Sequence, residues 1–467
     1  MPARVLPRTL LCAAALAALT AALALTVTVG GTMADPPHLY GWYVLDAALF
    51  ALALLLLRRV DARRVAPLVL IGSVLVAGAG LLAPPRTSDD AYRYVWDGRV
   101  QASGHSPYDR TPDDPVLRGL RDPELFPTGD ACTAWDERRT AVGDCTRINR
   151  PAVHTIYPPV AEAWFLAVHP FGGGVRGEQA AGALLAVATT GALLAAAAGE
   201  RRRRAALWGW CPGVTVWAVN DAHVDTLGAL LMVAGLACAA RRRPGTGGAL
   251  LGAAVAVKLL PGLALPGALA GLLARRPGRR ELTVAAAALG AFLLAYLPYV
   301  AVSGPGVLGY LPGYLREEGY EQGHLERFAL LRTVLADRWA PWAAALVLAA
   351  VAGWVLRRGH PERPWGGALL VTGTALLLVA PSYPWYGLLV VALVALDGRW
   401  EWLAVPAAGQ VLYLVGGEDA QRTAYGAALV CVLAVPALRR LARRKLALRG
   451  PALVAATPQA EPEMTKP

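Results

Sequence analysis

Apolar runs recur along the whole chain, separated by short arginine clusters. Many of them are roughly 18 to 20 residues long, enough to cross a ~30 Å hydrocarbon core. Backbone buried in hydrocarbon must satisfy its own amides, and a helix does so within one segment. The expected fold class is therefore all-α, a polytopic integral membrane protein. Only 17% of the 467 residues are charged and 56% are hydrophobic, whereas soluble domains carry about 25% charged residues. A soluble globular enzyme is excluded. The net charge of +12 does not indicate a nucleic-acid partner, because the basic residues sit in short runs between apolar segments. That is the pattern of topology determinants. The partner it implies is the lipid bilayer.

The positive-inside rule orders the segments. Arg4 and Arg8 precede the first apolar run, Leu11 to Val29. A signal peptide has a similar pattern, and Thr32-Met33-Ala34 loosely resembles a cleavage site. A second run, Gly41 to Leu57, favours an uncleaved span. Arg58, Arg59, Arg63 and Arg64 then mark a cytoplasmic turn, and Val65 to Ala83 leads outward again. Further clusters lie at Arg201 to Arg204, Arg241 to Arg243, Arg275, Arg276, Arg279 and Arg280, Arg357 with Arg358, and Arg439 to Lys445. The run 246–273 is expected as a hairpin broken at Lys258 to Pro261, since proline disrupts a helix interior. Treating 156–171 as a short re-entrant or interfacial helix keeps the later arginines on the inner side. The count is about 13 to 14 transmembrane or re-entrant helices. The expected divisions are N-terminal helices over 1–83, an extracytoplasmic catalytic loop over 84–156, a transmembrane bundle over 157–438, and a cytoplasmic basic and disordered tail over 439–467.

Four features stand out against the apolar background, all on the expected outer face. Asp89 and Asp90 open the polar segment just beyond the third span. On a helix starting at Ser88, Asp89, Arg93 and Trp96 share a face. A carboxylate there can serve as general base, with arginine available for phosphate. Ser88 or Asp89 as a helix N-cap is the structural alternative. Asp221, His223 and Asp225 interrupt apolar sequence, and charges beside a span are costly enough to suggest function. Their alternation would point all three one way in an extended turn. It also admits a divalent metal, though such spacing is a weak metal signal. A polar turn between helices is the plainer reading. Lys258 would sit at a hairpin tip, near a lipid phosphate or snorkelling to headgroups. Tyr383, Trp385 and Tyr386 read as interfacial anchors or as a platform for a sugar ring. Cys132 and Cys145 lie in the polar loop, and a disulfide is plausible in an oxidising compartment, with two free thiols the alternative. No phosphate-binding loop and no dinucleotide fingerprint occurs. A transferase of this kind would draw its donor from within the membrane.

Taken in order, Ser88 to Gly98, Gly104-His105-Ser106-Pro107-Tyr108, Thr155-Ile156-Tyr157-Pro158-Pro159, Asn220 to Asp225, Lys258 to Pro261 and Tyr383-Pro384-Trp385-Tyr386 resemble the GT-C glycosyltransferases. Within that group they are similar to the bacterial polyprenol-phosphate-mannose-dependent mannosyltransferases of the family 87 type. The resemblance covers roughly residues 80 to 390. It implies a GT-C-like membrane fold, a large first outer loop with interfacial helices, and a polyprenyl-phospho-sugar donor whose sugar is moved with inversion to a glycolipid or glycan acceptor. It also implies that the acid after the third span, Asp89 or Asp90, is the base, with Asp89 favoured. Arg93, Arg99 and Lys258 are the expected phosphate ligands. Trp96, Asp221, His223, Asp225, Tyr383, Trp385 and Tyr386 are the expected sugar or acceptor contacts. The insertion from Thr128 to Asp144 departs from the pattern. The alternative is a lipid-sugar flippase or multi-pass transporter, and a non-catalytic membrane scaffold is a further one. Transporters often show repeats and mid-membrane charges, and neither is evident here.

Overall fold

A computed structural model of the chain describes residues 5–129, 132–274, 278–317 and 327–448. Helices α1 (Val5–Val29), α2 (Pro36–Leu57) and α3 (Ala62–Gly80) come first, followed by α4 (Asp90–Ala102) in the polar segment. That segment also holds the antiparallel pair β1 (Arg138–Arg139) and β2 (Cys145–Thr146). Then come α5 (Pro159–Val168), α6 (Val175–Ala196), α7 (Ala206–Gly209), α8 (Asp225–Ala240), α9 (Pro244–Val257), α10 (Leu265–Ala268), α11 (Arg279–Ser303) and α12 (Leu311–Glu317). The chain continues through α13 (Ala340–Arg358), α14 (Pro364–Val379), α15 (Leu388–Asp397), α16 (Ala404–Val415) and α17 (Glu418–Leu448). The protein is an all-α polytopic membrane protein.

Among the described residues, 7 helices are long and apolar enough to cross a bilayer: α1, α2, α3, α6, α11, α13 and α17. A further apolar pair, the π-helical turn Val214–Asn220 and α8, is bent by 112° at its break, as a broken span or a re-entrant loop is. Helices α9 and α14 and the piece Pro384–Asp397 are apolar but shorter. Full-length crossings are thus fewer than the apolar runs suggested. The stretches 205–219 and 246–273 are divided at Pro and Gly into short helices, and 401–416 is a 3-10 turn leading into the 12-residue α16. The expected break at Lys258 is present: α9 ends at Val257 and a 3-10 turn, Leu260–Ala264, follows. Helix α5 is only 10 residues long, about 15 Å, so it does not span. Residues 439–448 extend α17, whereas 449–467 of the expected tail, and the cluster at Arg275 and Arg276, lie outside the described residues.

Arginine side chains tie successive turns together at one end of the bundle. Arg203 donates to the carbonyls of Leu57 (3.2 Å) and Val60 (2.5 Å). Arg204 reaches the carbonyl of Asp397 at 2.7 Å, and Arg399 that of Gly366 at 2.6 Å. Arg280 bonds the Pro361 carbonyl at 3.1 Å, and Arg439 pairs with Glu401 at 3.1 Å. The opposite end is closed differently. Asn220 Nδ2 donates to the carbonyls of Gly80, Ala83 and Pro84 at 3.0–3.1 Å. Arg176 reaches Leu81 O at 2.6 Å, and Ser106 and Ser303 share a 2.8 Å bond. The polar segment sits on this second end.

Packing between these ends relies on small residues. On α9, Gly248 and Gly252 lie one turn apart against α11, and a methyl group at either would collide with the carbonyl of Val284 or Ala288. Small residues at such spacing let helices approach closely in a membrane. The close seat fixes α9 along its length and so fixes Lys258 at its end. In the core, the buried indoles of Trp208 and Trp210 donate to the carbonyls of Ala186 (2.9 Å) and Val69 (3.2 Å). Their polar atoms are satisfied while the rings fill the bundle.

Candidate active site

Asp221 builds the entry to the site. It is fully buried, and its carboxylate accepts from the amides of Arg86 (3.1 Å), Thr87 (3.1 Å) and Ser88 (3.3 Å) and from the Thr87 hydroxyl. Tyr413 donates its hydroxyl to the Thr87 carbonyl. A loop that would otherwise be mobile is thereby held against the turn before α8. Ser88 Oγ accepts from the amide of Asp90 at 3.3 Å and caps α4, while the Asp89 side chain makes no capping bond. Asp89 and Asp90 are left facing a cavity.

The Asn149 amide bridges the two acids, donating to Asp89 Oδ1 at 3.1 Å and to Asp90 Oδ1 at 2.6 Å. Arg138, at the start of the short hairpin, pairs with Asp89. His223 Nδ1 stands 3.5 Å from Asp90 Oδ2, and its ring stacks on Trp385 with centroids 3.9 Å apart. Neither ring nitrogen has an aligned hydrogen-bond partner. Burial pushes the Asp89 carboxyl above its ordinary value, and the Arg138 guanidinium only partly opposes that. Burial acts on Asp90 too, but the His223 imidazole, Lys258 and Asn149 outweigh it and hold that carboxyl low. Two neighbouring carboxylates are therefore driven apart, which is how acid–base sites separate roles.

Basic groups line the same cavity as the acids. Arg93 is nearly fully buried; its Nε pairs with Asp97 at 2.9 Å and its Nη1 donates to Val153 O at 3.2 Å. Its Nη2 is buried without a partner, and the side chain lines the cavity. Lys258 pairs with Asp225 at 2.7 Å and lies over the Tyr386 ring, 4.5 Å from its centroid. Glu162 braces this wall from behind, accepting from Thr155 at 2.6 Å and Gln101 at 2.8 Å.

The cavity has a volume of about 570 Å³. Its lining is divided in kind. Asp89, Asp90, Arg93, Arg138 and Lys258 supply charge; Tyr383, Trp385 and Tyr386 supply aromatic faces; Leu259, Leu260, Leu308, Leu311 and Leu315 supply an apolar side. Trp135 lines both this cavity and a neighbouring polar one of about 380 Å³. The disulfide between Cys132 and Cys145 closes the loop that carries Trp135 and Arg138.

Some expected site residues lie elsewhere. Arg99 pairs with Asp122 at 2.6 Å and with Leu120 O at 2.8 Å, and it does not line the cavity. Trp96 packs on Phe126 in a separate cluster with Leu117 and Leu125. It follows Asp90 by six positions, which turns it about 120° round α4 from that acid. Asp221, His223 and Asp225 do not point one way: the turn is helical on both sides, with Ala222 at φ 54° between. One braces the loop, one meets Asp90, one holds Lys258, so the trio forms no common metal set. Among the described residues, the one group with ligand atoms close enough for a metal is Cys132, Glu137 and Cys145. The disulfide occupies both of its sulfurs. Arg138, Asn149, Arg150, Arg327, Tyr314 and Tyr413 join the site unannounced by any motif. They come from parts of the chain distant from α4 in sequence.

An all-α membrane bundle with paired acids lining an amphiphilic cavity defines the class: a polytopic membrane enzyme. The family described as alpha-(1->6)-mannopyranosyltransferase, N-terminal domain, matches residues 9–275, more than half of the chain. The chain belongs to this family of mannosyltransferases and is a glycosyltransferase. No curated protein and no solved structure is significantly similar to it. The aromatic wall at Tyr383 to Tyr386 lies beyond the matched segment.

Proposed function

We propose that the protein moves mannose from a polyprenyl-phosphate donor to a hydroxyl of a glycolipid or glycan acceptor, at the extracytoplasmic face, with inversion. The cavity carries this reading: its leucines suit a prenyl chain, and its carboxylates share the lining with Arg93 and Lys258. Asp89 takes the proton of the acceptor hydroxyl as its oxygen bonds to the anomeric carbon. The bond from that carbon to the phosphate oxygen breaks, and its electrons leave with the polyprenyl phosphate. Arg93 Nη2 and Lys258 stabilise the charge that gathers there. Asp90, held ionised, faces His223, whose imidazole is stacked behind Trp385, and the Trp385 ring is what the cavity presents to the sugar. Tyr383 and Tyr386 offer further surface to the sugar ring. The acceptor enters past Trp135 from the neighbouring polar cavity, away from the apolar side.

Membranes carrying the protein would be given radiolabelled polyprenyl-phospho-mannose and a glycolipid acceptor. A new acid-stable glycosidic product is the expected result, abolished in Asp89→Asn. Transfer that survives in both Asp89→Asn and Asp90→Asn would remove the base. Movement of the intact donor across the bilayer with no new bond would replace transfer by flipping.

A further inference from the structure

The arginine end of the bundle holds a larger depression, of about 910 Å³. Arg242, Arg279, Arg280 and Arg363 line it with His360, and Glu362 is the single carboxylate among its described lining residues. Close by, Glu281 pairs with Arg280 at 3.5 Å and caps the amide of Gly278 at 3.1 Å. Positive charge still exceeds negative around the rim.

Three helices begin there: α9 at Pro244, α11 at Arg279 and α14 at Pro364. Helix starts expose unbonded amides and carry the positive end of the dipole. Acidic residues normally offset that charge. The first turns of α9 and α14 contain none, and their N-caps, Arg243 and Arg363, supply no side-chain capping bond. Arginines at the positive ends of helices repel those ends and one another. An anion seated among them would relieve both. From Arg279, the exposed residues Leu282, Leu289, Leu293 and Leu297 run down one face of α11. A polar, anionic head at the rim and apolar chains along that face would match both surfaces.

We propose that this depression binds the phosphate of an anionic phospholipid, its acyl chains lying along the leucine face of α11. A zwitterionic head brings its own cation to a positive site and gains less. Free phosphate shares the headgroup chemistry but leaves the leucine face uncovered. Basic pockets between membrane helices bind anionic headgroups on this principle, each basic residue contributing about fivefold in affinity.

The full chain in detergent micelles doped with phosphatidylglycerol, phosphatidylcholine or inorganic phosphate provides the test. Native mass spectrometry and the unfolding midpoint are the readouts. Phosphatidylglycerol is expected to be retained and to raise the midpoint above phosphatidylcholine. Arg279→Gln with Arg363→Gln should weaken that retention by about fivefold for each arginine while mannosyl transfer stays unchanged. Glu362→Gln should tighten it, which keeps the test open if the double variant fails to fold. An unchanged lipid preference in the double variant, or no tightening in Glu362→Gln, would overturn the site. Inorganic phosphate reproducing the whole midpoint shift would overturn the lipid.

Discussion

At the residue scale the proposed base is one of a pair, and Asp89 and Asp90 answer differently to the same burial. A base works when deprotonated, so transfer should rise with pH through the value of Asp89, which burial lifts above the ordinary 3.8. The negative charge of Asp90 contributes to that lift. Asp90→Asn should therefore move the acidic limb of kcat/KM to lower pH while keeping measurable transfer. Asp89→Asn should lower kcat by on the order of 10²–10⁴-fold at all pH values. A pH profile of label transfer distinguishes the two, and a limb that stays fixed in Asp90→Asn removes Asp89 as the titrating group. Asp221 makes a different demand. Its substitution by Ala strands the amides of Arg86, Thr87 and Ser88, at about 1–3 kcal/mol for each one left unpaired. A lowered unfolding midpoint together with lost transfer is expected; a stable, active Asp221→Ala would mean that the loop is held by other contacts. Asp221 was legible as an unusual buried acid, but its role was not. Acid beside a span announces cost, whereas only the fold reveals whether that cost is met by substrate or by backbone.

At the scale of elements, the loop between α4 and α5 depends on a crosslink. Cys132 and Cys145 are 13 positions apart, and closing a loop of that size is worth about 3 kcal/mol by chain entropy. The tether carries Arg138 to Asp89 and Trp135 to the junction of two cavities. Cys132→Ser with Cys145→Ser should make the loop a preferred site of limited proteolysis and lower transfer, with α1 to α3 still folded. Equal protease resistance with and without the crosslink would show that packing on α4 suffices. Elements differ in how readable they were. Helix breaks at Lys258 and Pro261 were legible because proline acts locally. The start of α4 was legible to within about two residues, and that shift leaves Asp89 outside the helix as its N-cap, so it no longer shares a helical face with Trp96. Asn149, Arg327 and Tyr413 carry no local signature; they reach the cavity only through long-range packing.

For the molecule as a whole, polarity is the property from which sidedness follows. Arginine-rich turns gather at one end through side-chain to carbonyl bonds that join α2–α3, α6–α7, α13–α14 and α15–α16. The paired acids and the crosslinked loop occupy the other end. The fold class could be read from the alternation of apolar runs and arginines because hydrocarbon permits so few backbone solutions; the meeting of the site residues could not, since it depends on how short broken helices seat against long ones. Basic turns are retained on the cytoplasmic side during insertion, so the catalytic cavity should open to the outside. A crosslinked loop fits an oxidising compartment, and a lipid-borne donor fits a face without nucleotides. Val116→Cys, exposed in the polar segment between α4 and α5, and Glu200→Cys, in the arginine turn, separate the two orientations. In intact cells an impermeant thiol reagent should label Val116→Cys and leave Glu200→Cys unlabelled until the membrane is opened. The reverse pattern would turn the cavity to the cytoplasm, and the donor would then have to be loaded from the inner leaflet.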